Sequence, residues 1–312
     1  MLRLRKMFPR ILELTGSPMP HGHEDLWSQM KILDGGERLY AKEKQFHSRW
    51  YTTDIGGGVI AHEIRGEWAA QEIEKRISDV VHVMRDPNPP APENWIRVTM
   101  TKAERAVYQK LLRTSVLELE GKTITAANAG VLWGKLLQLA NGAIYYEEGK
   151  WVEAHRQKID ALWETLEGLP KPVLIGYGFK HDTARIFQHA PKDLGRFATL
   201  KSDASLDAWR RGEIDYGVIH PGSAGHGLND LYVSGAENLV WFGLTTNREF
   251  YEQLNARIVG GHRRTGRSVV IHHIVCDDTI DEDARELLAL RDKAQRTAKM
   301  RLAAKKWTEE IR

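Results

Sequence analysis

The 312 residues are long enough for two domains, and a hydrophobic content of 42% is ample for packed cores. A charged fraction of 28%, with no run of 18 apolar residues, argues against a membrane protein. One cysteine, Cys276, excludes a disulfide framework, argues against a cysteine-based metal site and fits a reducing, cytosol-like compartment.

The chain opens MLRLRKMFPRILELTG, basic and then apolar. Charges and Pro9 interrupt any signal core, so this stretch reads as part of the fold. Residues 11–14 are a short apolar run, expected as a strand that ends at the turn Thr15-Gly16-Ser17-Pro18. Leu26, Trp27, Met30 and Leu33 have helical spacing over 24–33, and Gly35-Gly36 breaks it. Residues 40–75 are polar and aromatic, with Gly56-Gly57-Gly58 inside. A charged helix is expected over 67–77 and a strand over 80–84. Four prolines between 86 and 93 mark a linker.

A strand over 96–101 leads to Thr101 and Glu104, a capping box that predicts a helix over 103–118. A second helix over 126–139 carries Val131, Leu132, Leu136 and Leu139 on one face, and a third spans 158–166. Pro170 and Pro172 mark a boundary. Apolar runs then alternate with helical patterns: a strand from Val173, helices over 181–189 and 206–210, and strands over 216–219, 239–242 and 269–275. A helix from Arg248 is expected to end at Gly260-Gly261. Unbroken apolar runs are the mark of buried parallel strands, so this half reads as an α/β domain with ligand-binding loops at the carboxyl ends of its strands. The formal charge is only +3, but the last 22 residues hold eight Lys or Arg against three acids. Such a basic helix suits nucleic acid and is equally compatible with a solvated face.

Two features of this half suggest phosphate chemistry. The turn Ser223-Ala224-Gly225-His226-Gly227-Leu228-Asn229 lets backbone N–H groups approach an anion. Arg257, Arg263, Arg264 and Arg267 repel one another unless anions or acids are near, and their planar forks suit phosphate oxygens. The plain alternatives are a ligand-free turn and a solvated cationic loop. His272 and His273 are adjacent in a strand and face opposite sides, so they cannot share a metal and are read as structural. No metal site is expected. The nearest approach to a P-loop, Gly130 to Leu136, has the wrong spacing, lacks the Ser/Thr ligand and sits in a helix. Asp281-Glu282-Asp283 is read as the acidic opening of a helix rather than a Mg²⁺ box.

Several segments, in order, resemble helicase motifs. LTGSPMPHGHEDLWSQ (14–29) resembles motif III, TAANAGVLWGKLLQLANGAIY (125–145) the helical lead into a second lobe, and PVLIGYGFKHD (172–182) motif IV. HPGSAGHGLN (220–229) resembles motif V, and EQLNARIVGGHRRTGRSVVIHHIVCDDTIDED (252–283) motif VI. Together they resemble the C-terminal part of a superfamily 2 helicase of the Swi/Snf-like branch, especially the compact forms carried by bacteriophages.

The resemblance implies an α/β fold: a RecA-like helicase C-terminal lobe, a helical insert and a remnant of the N-terminal lobe. The expected boundaries are 1–101 for the remnant with its insert, 102–170 for a helical linker region, 171–290 for the C-terminal lobe and 291–312 for the basic tail. Within the first region, 1–20 and about 79–101 would be the last strands of the first lobe. The resemblance also implies ATP between two lobes and DNA across both. Thr15, Gly16 and Ser17 would couple the lobes. Gly225, Gly227, Asn229 and Gln253 would lie toward the nucleotide, and Ser223, His226 and Lys180 toward the DNA backbone. Arg257 with Arg263 or Arg264 would stabilise charge on the γ-phosphate, with Arg263 slightly preferred because it follows His262.

Walker A and the acidic motif II, which supply the Mg²⁺ ligands, have no counterpart in these residues. The expectation is therefore a C-terminal portion of a cytoplasmic DNA helicase or translocase, active only with a P-loop lobe and not membrane-bound. The rival expectation is a non-catalytic nucleic-acid-binding module.

Overall fold

The computed structural model describes residues 5–15, 18–19, 22–56, 59–83, 90–225, 231–286 and 288–289. Gly16, Ser17, residues 226–230 and the basic tail 291–312 lie outside that description. The chain divides into two compact units, Met1–Pro89 with Leu288–Arg312, and Pro90–Leu287.

The smaller unit is built from α1 (Asp25–Asp34), α2 (Glu43–Trp50), the antiparallel pair β1 (Tyr51–Gly56) and β2 (Val59–Ile64), and α3 (Glu67–Ile77). Leu26 and Met30 stand four apart on α1 and turn inward together. The helix stops at Gly35, whose φ of 82° is left-handed backbone that glycine adopts without a Cβ penalty. Phe46 and Trp50 of α2 join them with Leu39, Tyr51, Ile73 and Ile77 in one core. The guanidinium of Arg76 lies 5.1 Å from the Trp50 ring, so its charge covers an aromatic face. The expected helix over 67–77 is present. The expected strand over 11–14 is not: residues 10–15 carry no regular structure. Nor is there a strand over 81–83.

The larger unit contains a six-stranded sheet in the order β3-β12-β11-β8-β10-β9, parallel at every pairing. Its elements in chain order begin with β3 (Glu93–Val98), α4 (Lys102–Thr114), the hairpin β4 (Val116–Leu119) with β5 (Lys122–Thr125), and α5 (Ala129–Ala140). The hairpin β6 (Ala143–Glu147) with β7 (Lys150–Glu153) and α6 (Gln157–Glu167) follow. Then come β8 (Val173–Gly176), α7 (Lys180–Gln188), β9 (Phe197–Thr199), α8 (Asp203–Arg210) and β10 (Tyr216–Ile219). The unit closes with β11 (Asn238–Trp241), α9 (Arg248–Thr265), β12 (Val270–Cys276) and a helix over 280–286.

Strand alternation builds two cores, one on each face of the sheet. Leu174, Leu239, Trp241 and Ile271 point to the face covered by α8 and α9. Val173, Ile175, Val218, Val240 and Ile274 point to the face covered by α6 and α7. Each large aliphatic side chain buried this way contributes about 1.5–3 kcal/mol. The capping box at α4 is formed on both sides: Thr101 accepts from Glu104 N at 3.3 Å, and Glu104 accepts from Thr101 N at 2.7 Å.

Three sequence expectations are corrected here. Residues 93–98 do not end a first lobe; β3 pairs in register with β12, from Glu93 beside Ile271 to Val98 beside Cys276. Residues 102–170 are not purely helical, since they carry two hairpins. Finally, Gly260 and Gly261 do not end a helix. α9 runs through both to Thr265, and Gly261 makes room for the ring of Tyr232: a Cβ there would lie 2.0 Å from Tyr232 Cγ. No helix among the described residues is long and apolar enough to cross a membrane.

Candidate functional site

The connection after β8 runs toward β9, whereas the connection after β11 runs the other way, to β12. The sheet therefore reverses its winding between β8 and β11, and ligands of open α/β sheets bind at the carboxyl ends of strands at such a place. Here that crevice is filled from within. Asn141, at the C-terminal end of α5, lies against Gly243 so closely that a Cβ on Gly243 would meet its amide at 2.2 Å. Its Nδ2 donates to Asp182 Oδ2 at 3.0 Å, and its Oδ1 accepts from Lys158 Nζ at 2.9 Å.

The same network extends in both directions. Asp182 Oδ2 accepts from Phe179 N at 2.8 Å, which caps the start of α7 immediately after β8. Lys158 Nζ lies 2.5 Å from Asp281 Oδ2, with both side chains fully buried. Asp281 also accepts from Cys276 N at 2.9 Å. Arg185 donates to the carbonyls of Asn141 and His155 and pairs with Glu153 at 2.8 Å. Buried charges persist only when paired and hydrogen-bonded. The network thus locks α5, α6, α7 and the end of β12 around one corner of the sheet. Sequence reading missed these residues because on helices each looks like an ordinary surface charge.

Next to this corner the chain leaves β10 into a short helical turn, Pro221–Gly225. Ser223 N donates to His220 O at 2.9 Å, and Gly222 N donates to His220 Nδ1 at 3.1 Å. The His220 ring stands 5.5 Å from Tyr177, just past β8, and burial lowers its pKa. This turn packs against α9: a Cβ on Gly222 would lie 3.3 Å from Phe250. Asn247 starts α9, its side chain accepting from Phe250 N at 3.1 Å. Leu254 and Ile258 anchor the helix in the core, and Trp241 Nε1 donates to Asn255 Oδ1 at 3.0 Å.

The turn Pro221–Gly225 and the Arg-bearing helix α9 are therefore in contact. Gln253 and Arg257 are half-buried and one turn apart on α9. Gln253 Nε2 donates to Glu249 Oε1 at 2.8 Å. Lys180, the exposed first residue of α7, follows β8, and Ser223 follows β10. Those strands are adjacent and parallel, so both residues lie along one end of the sheet.

Thr15 is exposed in the smaller unit, and Gly16 and Ser17 lie outside the described residues, as do His226, Gly227 and Asn229. Gly225 closes the helical turn. The two histidines of β12 have structural partners. His272 lies 3.0 Å from Asn238 Oδ1, and His273 lies 2.8 Å from the Tyr251 hydroxyl and stacks on Trp95 at 4.0 Å. Burial pushes the His273 imidazole down to about 3 and the Cys276 thiol up to about 11, so neither is charged near neutrality.

No family model matches the chain. It is 35% identical over 295 residues to protein p41 of Acyrthosiphon pisum secondary endosymbiont phage 1, a match covering 90% of this chain and 62% of that protein. Among solved structures it resembles the C-terminal part of the Fun30 ATPase domain, with 16% identity over 72% of this chain and 98% of that one, at a TM-score of 0.46. It also resembles the C-terminal domain of the DEAD-box protein Dbp5, with 17% identity over 45% of this chain and 78% of that one, at a TM-score of 0.34.

Proposed function

We propose that the larger unit is the C-terminal lobe of an ATP-dependent DNA helicase or translocase, and that it contributes arginines to a nucleotide held mainly by residues outside these 312. The observation that carries this reading is the packing of the turn Pro221–Gly225 against α9 at one end of a parallel sheet. It sets backbone N–H groups beside the helix that carries Gln253, Arg257 and Arg264. Guanidinium groups stabilise the charge that develops on a transferring γ-phosphoryl, an effect worth roughly 10³–10⁵ in rate. Arg263 or Arg264 would join Arg257 there, with Arg263 preferred because it follows His262.

None of these residues forms a P-loop, so a separate P-loop-bearing lobe would supply Mg²⁺ and most phosphate contacts. DNA would be held through its backbone by groups such as Lys180 and Ser223, without reading sequence. The test is ATP hydrolysis with and without DNA, by the chain alone and combined with a P-loop-bearing partner. Hydrolysis that needs the partner and is lost with Arg257→Ala supports the reading. Salt-sensitive DNA binding with no nucleotide dependence, whatever partner is added, would leave a nucleic-acid-binding module instead.

A further inference from the structure

The smaller unit gathers three metal-ligating side chains from three separate elements. Glu24 immediately precedes α1, His47 lies on α2 and His62 on β2. One ligand-capable atom from each lies within 4.8 Å of the other two. His47 Nε2 and Glu24 Oε1 are 2.6 Å apart, yet their alignment is not that of an N–H···O hydrogen bond, and the buried Nε2 has no hydrogen-bond partner. The imidazoles of His47 and His62 lie face to face, 3.9 Å between centroids and 15° from parallel. The stacking brings the His62 ring into direct contact with the ring of His47 beside Glu24.

We propose that Glu24, His47 and His62 bind a divalent transition-metal ion of the zinc type and clamp the smaller unit with it. Two imidazoles and a carboxylate suit Zn²⁺, Co²⁺ or Ni²⁺ better than Mg²⁺ or Ca²⁺, which prefer all-oxygen shells. Four-coordinate zinc with bonds of about 2.0–2.1 Å needs ligand atoms about 3.3 Å apart. A bound metal lies in the plane of each imidazole that holds it, so the stacked His47 and His62 rings must rotate apart about their side-chain torsions as the ion enters. A hydrogen bond to one imidazole nitrogen fixes the ring orientation and tautomer in metal sites, and His62 Nδ1 has such a partner in Thr53 Oγ1 at 3.2 Å. Glu24 is 43% exposed, which leaves an entry path and room for water as fourth ligand.

The gain is structural. Among the described residues the core of this unit is a cluster of ten buried side chains, and a metal that joins α1, α2 and the hairpin adds the stability that small cores lack.

The test uses the full chain, freed of metal with a chelator and titrated with Co²⁺ while visible ligand-field bands are followed. The expected result is saturable binding of one Co²⁺ per chain, displaced by Zn²⁺, with a raised thermal midpoint. His62→Ala, and separately the milder Glu24→Gln, should each weaken binding at least about tenfold. His189→Gln, in the other unit, should not. No saturable binding, or binding indifferent to both Glu24→Gln and His62→Ala, overturns the proposal and leaves a simple Glu24–His47 ion pair.

Discussion

The ring of Tyr232 occupies the space that a side chain at Gly261 would need, with Cγ only 2.0 Å from the place of a Cβ. The glycine pair in α9 is therefore a packing contact inside a helix rather than a break. Gly261→Ala forces the Tyr232 turn off the helix and should destabilise the larger unit by about 1–3 kcal/mol. Gly260 has no neighbour within 4 Å of the same position. Gly260→Ala should instead be neutral or stabilising by up to about 1 kcal/mol, through helix propensity. Urea midpoints of the two variants, measured side by side, check the contrast.

Lys158 and Asp281 form a fully buried ion pair. Lys158→Met removes one partner and leaves a buried carboxylate, and a loss of about 3–5 kcal/mol is expected. Replacing both, with Asp281→Leu added, should recover part of that loss. Denaturant unfolding of the two variants decides it; a double variant no more stable than Lys158→Met would show that the pair is not the cause.

Two buried histidines set an acid limit on stability. Burial depresses His155 to about 4 and His273 to about 3, from an ordinary value of 6.5. Above pH about 6.5 both are neutral in the folded and the unfolded chain, and their contribution to stability is fully present. As pH falls below that, the unfolded chain takes up protons that the folded one refuses. Stability then drops by at most about 1.4 kcal/mol per pH unit for each histidine. The loss levels off below the folded values. Unfolding free energies measured from pH about 7.5 to about 5 should show this slope, and His273→Gln should flatten it.

Lys180 and Ser223 lie along the same end of the sheet, after adjacent strands. If they hold a DNA backbone, Lys180→Ala should weaken binding to all sequences alike and reduce the salt slope by about 1. Fluorescence anisotropy at several salt concentrations reads both quantities.

Sequence reading succeeded where one physical signal dominates. The strands 173–176, 216–219, 238–241 and 270–276 are buried on both faces, so they stand out as unbroken apolar runs. It failed where the deciding contact is distant. The hairpin Tyr51–Gly56 with Val59–Ile64 is rich in polar residues and gives no apolar period. β3 looks like any short strand, and only its pairing with β12 assigns it to the larger unit. Lys158, Asp182, Arg185 and Asp281 resemble solvated helix charges until their partners, tens of residues away, come into contact. Glu24, His47 and His62 have no metal-site spacing, because three elements bring them together.

The central claim is tested most directly by ATP hydrolysis in the presence of DNA, using this chain combined with a P-loop-bearing partner lobe. Arg257→Ala, and one of Arg263→Ala and Arg264→Ala, should each lower the DNA-stimulated rate by about 10³-fold or more. No hydrolysis with any P-loop-bearing partner, or hydrolysis indifferent to Arg257→Ala, would contradict the account.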